Sequence, residues 1–124
     1  MARVLALVSD LLFGSRVQGA LRAAGHDAEL LGDAAGLRRR LADGPAQGAV
    51  LVVDLTDAQL DGARLLEELA REGELVGVRT LGFYSHVDVR ARARAERAGF
   101  DLLVPRSRMA REGAELVGRL STAP

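Results

Sequence analysis

The stretch Gly48-Ala49-Val50-Leu51-Val52-Val53-Asp54-Leu55 decides the fold of this chain. Its uncharged apolar run is typical of a strand buried on both faces, as the strands of parallel sheets are. The run ends in the carboxylate of Asp54. In α/β proteins, ligands bind at the edge formed by the C-terminal ends of the strands. We therefore expect Asp54 to lie at a functional site, as a nucleophile or as a metal ligand.

Apolar runs and stretches of helical periodicity alternate five times along the chain. The predicted strands are Val4–Val8, Asp27–Leu31, Ala49–Asp54, Val78–Tyr84 and Phe100–Val104. The predicted helices are a first one that follows Ser9-Asp10 and ends at Gly25, and then Ala34–Ala42, Ala58–Arg71, Val87–Ala98 and Ser107–Leu120. Five β-α units predict a doubly wound, five-stranded parallel sheet between two helix layers, the three-layer α/β/α arrangement of flavodoxin-like folds.

Capping residues and apolar spacing predict the ends and inner faces of the helices. Ser9 or Asp10 is expected to cap the first helix and Ser107 the fifth. Gly25, Gly73 and Gly99 are expected to close helices, and Gly44-Pro45 to stop the second. In the third helix, the residues expected to face inward are Leu65, Leu66 and Leu69. In the fourth they are Val87, Ala91, Ala95 and Ala98.

The composition indicates one small domain without disulfides. The 124 residues, 48% of them hydrophobic, predict a single domain over residues 1–120 with a frayed tail at 121–124. Because the chain has no cysteine, disulfides and thiolate metal sites are excluded. No apolar run approaches the roughly 18 residues of a membrane span, and no signal peptide is visible. We expect a cytoplasmic protein with no room for a separate output module.

The charge is balanced overall but unevenly distributed. Seventeen basic residues, all arginine, face seventeen acids, and aromatic residues make up 3% of the chain, so nucleic-acid binding is not expected. Residues 54–74 hold seven acids and two arginines, whereas residues 86–111 hold seven arginines and three acids. These segments are either ordinary solvated helix faces or a surface that binds a partner. The partner could be a second copy of the chain in a homodimer, with opposite faces of the two copies in contact.

Polar residues follow four of the predicted strands at their C-terminal ends. They are Ser9 and Asp10 after the first strand, Asp54 at the end of the third, Ser85 and His86 after the fourth, and Arg106 and Ser107 after the fifth. In a doubly wound sheet, these ends lie along one edge and line one crevice.

Three segments carry a resemblance to the receiver domains of bacterial response regulators. Asp54–Gly62 is similar to the receiver segment that runs from the phosphoacceptor aspartate to an Asp-Gly pair. Leu5–Phe13 resembles the first receiver strand and its loop, and Ala98–Asp101 resembles the entry to strand five. The resemblance spans nearly the whole chain. It implies a receiver fold and a role in two-component signalling and phosphorelay, as a signalling domain and not an enzyme.

The resemblance also implies roles for particular residues. Asp54 corresponds to the phosphoacceptor, Ser85 to the residue that contacts the phosphoryl group, and Asp10 with Asp54 to ligands of Mg²⁺. Arg106 stands near the position of the receiver lysine that pairs with the phosphoryl oxygens. The implied partners are a histidine kinase or a downstream regulator.

Several residues depart from the receiver pattern. Receivers place two adjacent acids after strand one, whereas this chain has Ser9-Asp10, and it contains no lysine at all. The aromatic switch residue of strand five is missing, because Leu102 and Leu103 occupy that region, and Ala58 replaces the usual proline. An arginine fork is not equivalent to an ammonium group. These departures predict a degenerate pseudo-receiver in which Mg²⁺ binding is weak or absent.

The residues leave several roles open at the predicted site. Asp54 is either a phosphoacceptor or a side chain that caps helix three or holds the loop before it. Asp10 is either a metal ligand or a helix cap. His86 has two functional alternatives, a metal ligand or a general base, and one structural alternative, a hydrogen-bonding residue of the loop. Asp10, Asp54 and His86 together are one candidate metal site. A salt bridge from Arg106 to Asp54 that mimics the lysine–phosphoaspartate contact is another hypothesis.

The arginines form a candidate partner surface. Arg90, Arg94 and Arg97 share one face of the predicted fourth helix, and Arg108 and Arg111 begin the fifth. In receivers, the surface formed by the fourth helix, fifth strand and fifth helix contacts partners.

Three functions follow as hypotheses. The first is a stand-alone, atypical receiver-like domain that acts by binding a protein partner, with impaired or absent aspartyl phosphorylation. The second is a working response regulator that uses Asp54 with a weakened Mg²⁺ site. The third is a small-molecule-binding flavodoxin-like protein, disfavoured because no glycine-rich phosphate loop follows strand one.

Overall fold

The computed structural model describes residues 2–43 and 47–122. In these residues, one parallel sheet contains the strands β1 (Arg3–Leu7), β2 (Asp27–Leu31), β3 (Val50–Asp54), β4 (Arg79–Tyr84) and β5 (Leu102–Pro105), in the order β2-β1-β3-β4-β5. The chain therefore winds first toward one edge and then toward the other, and the direction changes between β1 and β3. This arrangement confirms the doubly wound α/β fold that the alternating pattern predicts.

Helices cover both faces of the sheet. They are α1 (Leu11–Ala23), α2 (Ala34–Ala42), α3 (Gly62–Arg71), α4 (Val89–Ala98) and α5 (Arg106–Thr122). One core layer packs α1 and α5 on the sheet through residues such as Phe13, Leu21 and Leu116. The other packs α2 and α3 through residues such as Leu37 and Leu69. Two helix layers on one sheet give the predicted three-layer arrangement.

The central strand β3 is buried along its whole length. Val50 and Val52 belong to the core layer under α1 and α5, whereas Leu51 and Val53 belong to the layer under α2 and α3. Successive side chains of a strand point to opposite faces, so an uninterrupted apolar run serves both layers at once. This explains why the stretch that ends at Asp54 carries no polar residue before its last position.

Several predicted helix ends are confirmed. The Asp10 carboxylate caps α1, since its Oδ1 accepts the backbone N–H groups of Leu12 and Phe13 at 3.0 and 3.1 Å. Gly25 and Gly99 have φ angles of +90° and +101°. Such angles favour glycine, because a side chain is rarely tolerated there. Leu65, Leu66 and Leu69 all face the core, as predicted. The predicted stop Gly44-Pro45 lies outside the described residues.

The predicted start of the third helix is wrong. The helix begins at Gly62 and not at Ala58, and Asp61 caps it from a left-handed conformation with φ +46°. The residues before it are held in turns by aspartate side chains, since Asp57 accepts the backbone N–H of Gln59. Local side-chain acceptors of this kind compete with helical hydrogen bonding.

The predicted start of the fourth helix is also wrong. Val87 was expected to face inward within it, but this residue lies before the helix and its surface is 75% exposed. Asp88 is the N-cap, accepting the backbone N–H of Ala91, so the helix begins at Val89. Ala95 is buried as predicted, whereas Ala91 and Ala98 are only partly buried. The cap decides the boundary against the apolar pattern.

The fifth helix is longer than predicted at both ends. It begins at Arg106, directly after β5, so Ser107 lies within its first turn and is not the N-cap. It continues to Thr122, so Ser121 and Thr122 are helical and do not form a frayed tail. The last two residues of the predicted tail lie outside the described residues. In the described part of the chain, none of the helices has the length and apolar character needed to cross a membrane.

Candidate functional site

Asp54 lies at the C-terminal end of β3 and is 2% exposed. Its Oδ1 accepts two hydrogen bonds from Thr56, one from the backbone N–H at 2.7 Å and one from the hydroxyl at 2.6 Å. The carboxylate therefore holds the first turn of the β3–α3 loop, which is one of the roles left open by the sequence. It does not cap α3, because Asp61 does. Thr56 was not among the predicted site residues.

The second carboxylate oxygen of Asp54, Oδ2, is not used by the loop. Among the described residues, Oδ2 has no hydrogen-bond partner. These residues also include no side-chain oxygen that is both buried and without a partner. It follows that Oδ2 is in contact with solvent, and that the buried carboxylate reaches the surface of the domain through this atom.

Asp10 and Arg106 contact each other. The Arg106 guanidinium approaches Asp10 Oδ2 to 3.6 Å, and its Cζ lies 4.0 Å from the centre of the Phe13 ring. A cation over an aromatic face is attracted by the ring quadrupole. The hypothesis of an Arg106–Asp54 salt bridge is therefore wrong. The physical reason is that Asp10, the N-cap of α1, and the ring of Phe13 in its first turn together attract the guanidinium.

Ser9 forms a contact that the sequence did not predict. Its hydroxyl donates a hydrogen bond to Oδ2 of Asp57 at 2.6 Å, across 48 positions of the chain. This bond, together with the backbone N–H of Gln59, holds the pKa of the Asp57 carboxyl below its ordinary value, because both donors favour the charged form. The pair joins the β1–α1 loop to the β3–α3 loop. Nothing in the spacing of these two residues indicates the contact before the sheet order is known.

Among the described residues, three of the four carboxylate oxygens of Asp10 and Asp54 already have partners, and Oδ2 of Asp54 is the one left for a metal ion. Oδ1 of Asp10 caps α1 and its Oδ2 faces a guanidinium, while Oδ1 of Asp54 is used by Thr56. Mg²⁺ requires free oxygen ligands in near-octahedral geometry. Within residues 2–43 and 47–122, no three His, Cys, Asp or Glu side chains are grouped to hold a metal ion. The Asp10–Asp54–His86 metal site considered above is therefore not formed.

Ser85 and His86 lie in the β4–α4 loop at the same edge. Ser85 is partly exposed and His86 is exposed. Both face an open cleft of about 530 Å³ that also reaches Asp10, Phe13 and Arg106. Of the residues predicted to line one crevice, Asp10, Ser85, His86, Arg106 and Ser107 line this cleft, whereas Ser9 does not. Asp54 does not line this cleft.

The candidate arginine surface is partly neutralised by contacts within the chain. Arg94 pairs with Glu67 of α3, which holds the pKa of Glu67 below its ordinary value and raises that of Arg94, chiefly through the hydrogen bond between them. Arg108 and Arg111 both approach Glu112. The acidic and basic segments recognised in the sequence thus contact each other where α3 meets α4.

Comparison with known proteins identifies the fold. No family model and no curated protein matches this chain. Among solved structures, the signal receiver domain of a signal transduction histidine kinase from Syntrophus aciditrophicus is 17% identical, with a TM-score of 0.84 over 98% of this chain and 91% of that one. The receiver domain of a sensor histidine kinase from Pseudomonas aeruginosa, with a magnesium ion coordinated in its active-site cleft, is 15% identical, with a TM-score of 0.83 over 98% of both chains.

A third similar structure is the signal receiver domain of NarL from Mycobacterium tuberculosis. It is 23% identical, with a TM-score of 0.77 over 99% of this chain and 98% of that one. At identities this low, the comparisons establish the fold. This chain has the fold of receiver domains, as the resemblance in its sequence implied.

Proposed function

We propose that this chain is a receiver-like signalling domain that acts by binding a protein partner, with impaired or absent phosphorylation of Asp54. The observation that carries the proposal is the contact of Arg106 with Asp10 and Phe13. Arg106 is the cation placed near the receiver lysine position, and within the described residues it pairs with Asp10 and not with Asp54. The contact also occupies the one acid that remains after β1.

Charge explains why these contacts oppose phosphorylation. In the reaction, an oxygen of Asp54 forms a bond to the phosphorus of an anionic donor while the bond from phosphorus to the leaving group breaks. Two negative groups must approach each other, so cations that stabilise the transferring group supply most of the catalysis. The Pseudomonas receiver domain has a magnesium ion coordinated in its active-site cleft. We infer that this chain binds Mg²⁺ weakly or not at all.

Exposed apolar side chains support a partner-binding role. Leu11 and Leu12 follow β1, and Val87 and Val89 follow β4, so all four lie near the edge that carries Asp54; each is more than 70% exposed. Exposed apolar surface near a site is typical of protein interaction. Arg90 on α4 makes no ion pair within the described residues, so it extends this surface with positive charge. A histidine kinase or a downstream regulator is the class of partner we propose.

Intact-mass measurement after incubation with acetyl phosphate and Mg²⁺ tests the phosphorylation part of the proposal. We expect the wild-type chain to gain no stoichiometric phosphoryl group. A variant with Ser9→Asp and Arg106→Lys places a second acid before Asp10 and an ammonium group at the position of Arg106, and we expect it to gain one. The gain should disappear when Asp54→Asn is added.

Two results would contradict the proposal. A stoichiometric gain in the wild type that is lost in Asp54→Asn would show a working phosphoacceptor. The absence of any gain in the variant with Ser9→Asp and Arg106→Lys would show that Ser9 and Arg106 are not the cause of the impairment. Circular dichroism of each variant controls for the integrity of the fold.

One observation favours the second candidate function, a working response regulator. Asp54 Oδ2 has no hydrogen-bond partner among the described residues, so it is available to a phosphodonor from solvent. An available nucleophile without stabilising cations is expected to react slowly. The wild-type arm of the same experiment decides between the two candidates.

A further inference from the structure

The cleft beside Asp10 is lined by hydrogen-bond donors that nothing in the described chain satisfies. Arg16 of α1, Ser85 and His86 of the β4–α4 loop, and Ser107 of α5 all line it. The side chains of these four residues make no hydrogen bond or ion pair with the rest of the described residues. They come from three separate elements and converge on one open space of about 530 Å³. Ligand sites commonly have this size and a few convergent polar groups.

The charge of the cleft is positive. Arg16 and Arg106 line it, and Asp10 is the one acid among its lining residues. Both oxygens of that acid are already used, one by the cap of α1 and the other by Arg106. A single contact at 3.6 Å to Asp10 leaves the other N–H donors of the Arg106 guanidinium free. An anion entering the cleft therefore meets two guanidinium groups against one carboxylate, and that carboxylate already has partners for both oxygens.

One wall of the cleft is apolar. Leu12, Phe13 and Ala110 line it, and Leu12 is 81% exposed. Arg106 already covers the Phe13 ring. The surface left to be covered is therefore mainly the Leu12 side chain. A ligand with both an anionic group and a small apolar body would use the two walls together.

We propose that this cleft binds a small phosphomonoester. The phosphate lies between Arg16 and Arg106, whose planar forks match phosphate oxygens. The hydroxyls of Ser85 and Ser107 donate to the same oxygens, and the organic part of the ligand covers Leu12. The site does not depend on phosphorylation of Asp54, since Asp54 is not among the residues that line it. It would give the domain a small-molecule input besides its protein partner.

Nuclear magnetic resonance titrations at constant ionic strength test the proposal with phenyl phosphate, inorganic phosphate and benzoate. We expect phenyl phosphate to shift the backbone amide signals of Arg16, His86 and Ser107 in a saturable way. Inorganic phosphate should act at the same amides but bind more weakly, because it leaves the apolar wall uncovered. Benzoate should bind more weakly than phenyl phosphate, because a carboxylate offers fewer acceptor oxygens.

Two variants and one matched control locate the site. Arg16→Gln should weaken the affinity for phenyl phosphate by about tenfold or more, since a hydrogen bond to a charged group is lost. Arg22→Gln, an exposed arginine in the last turn of the same helix, should leave the affinity unchanged. Asp54→Asn should not lower the affinity, because Asp54 does not line the cleft and its substitution removes a negative charge.

The proposal is overturned by any of three results. One is the absence of saturable shifts with phenyl phosphate. Another is an equal loss of affinity in Arg16→Gln and Arg22→Gln, which would indicate unspecific attraction of anions. The third is loss of binding in Asp54→Asn with binding retained in Arg16→Gln. Arg106→Gln is a further variant whose fold should first be checked by circular dichroism, because Arg106 contacts the Asp10 cap of α1.

Discussion

At the scale of single residues, the neighbours of Asp54 determine what its carboxylate can do. The apolar run before it predicts its place at the end of a buried strand, and that prediction is confirmed by the structure. Its partner Thr56 lies only two positions away, so the contact is local and could have been predicted from the pairing of an aspartate with a nearby threonine. The contact of Arg106 with Asp10 joins the start of α5 to the start of α1. These two positions are far apart in the sequence, so no local sequence pattern predicts the contact.

Gly62 gives a prediction at this scale, because a side chain at its position has no room. A Cβ atom there would lie 2.5 Å from Cγ1 of Val53 and 3.0 Å from Cδ2 of Leu55. We expect Gly62→Ala to lower the free energy of unfolding by about 1–3 kcal/mol, the usual cost of overpacking. Urea denaturation followed by circular dichroism measures it. The Asp-Gly pair that carries part of the receiver resemblance thus has a packing reason.

Gly19 provides the matched control for this substitution. It lies within α1 and a Cβ atom there would have no neighbour within 4 Å. Gly19→Ala should therefore raise stability by about 0.5–1 kcal/mol through helix propensity alone. If both substitutions changed stability in the same direction, steric contact with Val53 and Leu55 would not be the cause of the loss at Gly62.

At the scale of elements, the strands could be predicted well and the helix starts poorly. Apolar runs decide the strands, and every observed strand lies within two residues of its predicted bounds. The predicted starts of α3 and α4 are wrong because aspartate side chains accept backbone N–H groups and fix where each helix can begin. These aspartates are Asp57, Asp61 and Asp88. The sequence contains these aspartates, but it contains too many candidate caps to select between them without the tertiary contacts.

Helix α4 gives the prediction at this scale, because it is weakly held to the domain. Its one buried side chain is Ala95, whereas α3, also of ten residues, buries Leu65, Leu66 and Leu69. Each buried leucine contributes about 1.5–3 kcal/mol, and the Arg94–Glu67 pair on the surface adds at most about 1 kcal/mol. We expect the amides of α4 to exchange hydrogen faster than those of α3, as measured by mass spectrometry under native conditions.

The comparison between the two helices contains its own control. They have the same length and lie next to each other on the same face of the sheet, so differences in helix length cannot explain the result. Equal protection of the two helices would contradict the prediction. It would mean that the contacts of α4 with β4 and α3 stabilise α4 against local opening as much as the buried leucines stabilise α3.

At the scale of the whole molecule, the fold could be predicted from the sequence and most of the site could not. Five alternating strand and helix patterns leave few topologies, because crossovers are right-handed and each apolar face must be covered. The site depends instead on contacts such as Ser9 with Asp57, which are 48 positions apart. Such contacts form only after the sheet places β1 beside β3. The same sheet order brings Arg16, His86 and Ser107 to one cleft from three different elements.

The sheet also couples its two core layers, and this gives the last prediction. Leu69 lies in one layer and Leu116 in the other, and both are almost completely buried. Replacing either by alanine should cost about 2–5 kcal/mol. Because β3 contributes side chains to both layers, we expect each variant to unfold in a single transition, with equal midpoints by far-ultraviolet circular dichroism and by fluorescence of the buried Tyr84. Different midpoints for the two probes in either variant would show that one layer can be lost while the other remains folded. We expect a substitution in either core layer to unfold the whole domain, because the strand from Val50 to Val53 packs apolar side chains into both layers.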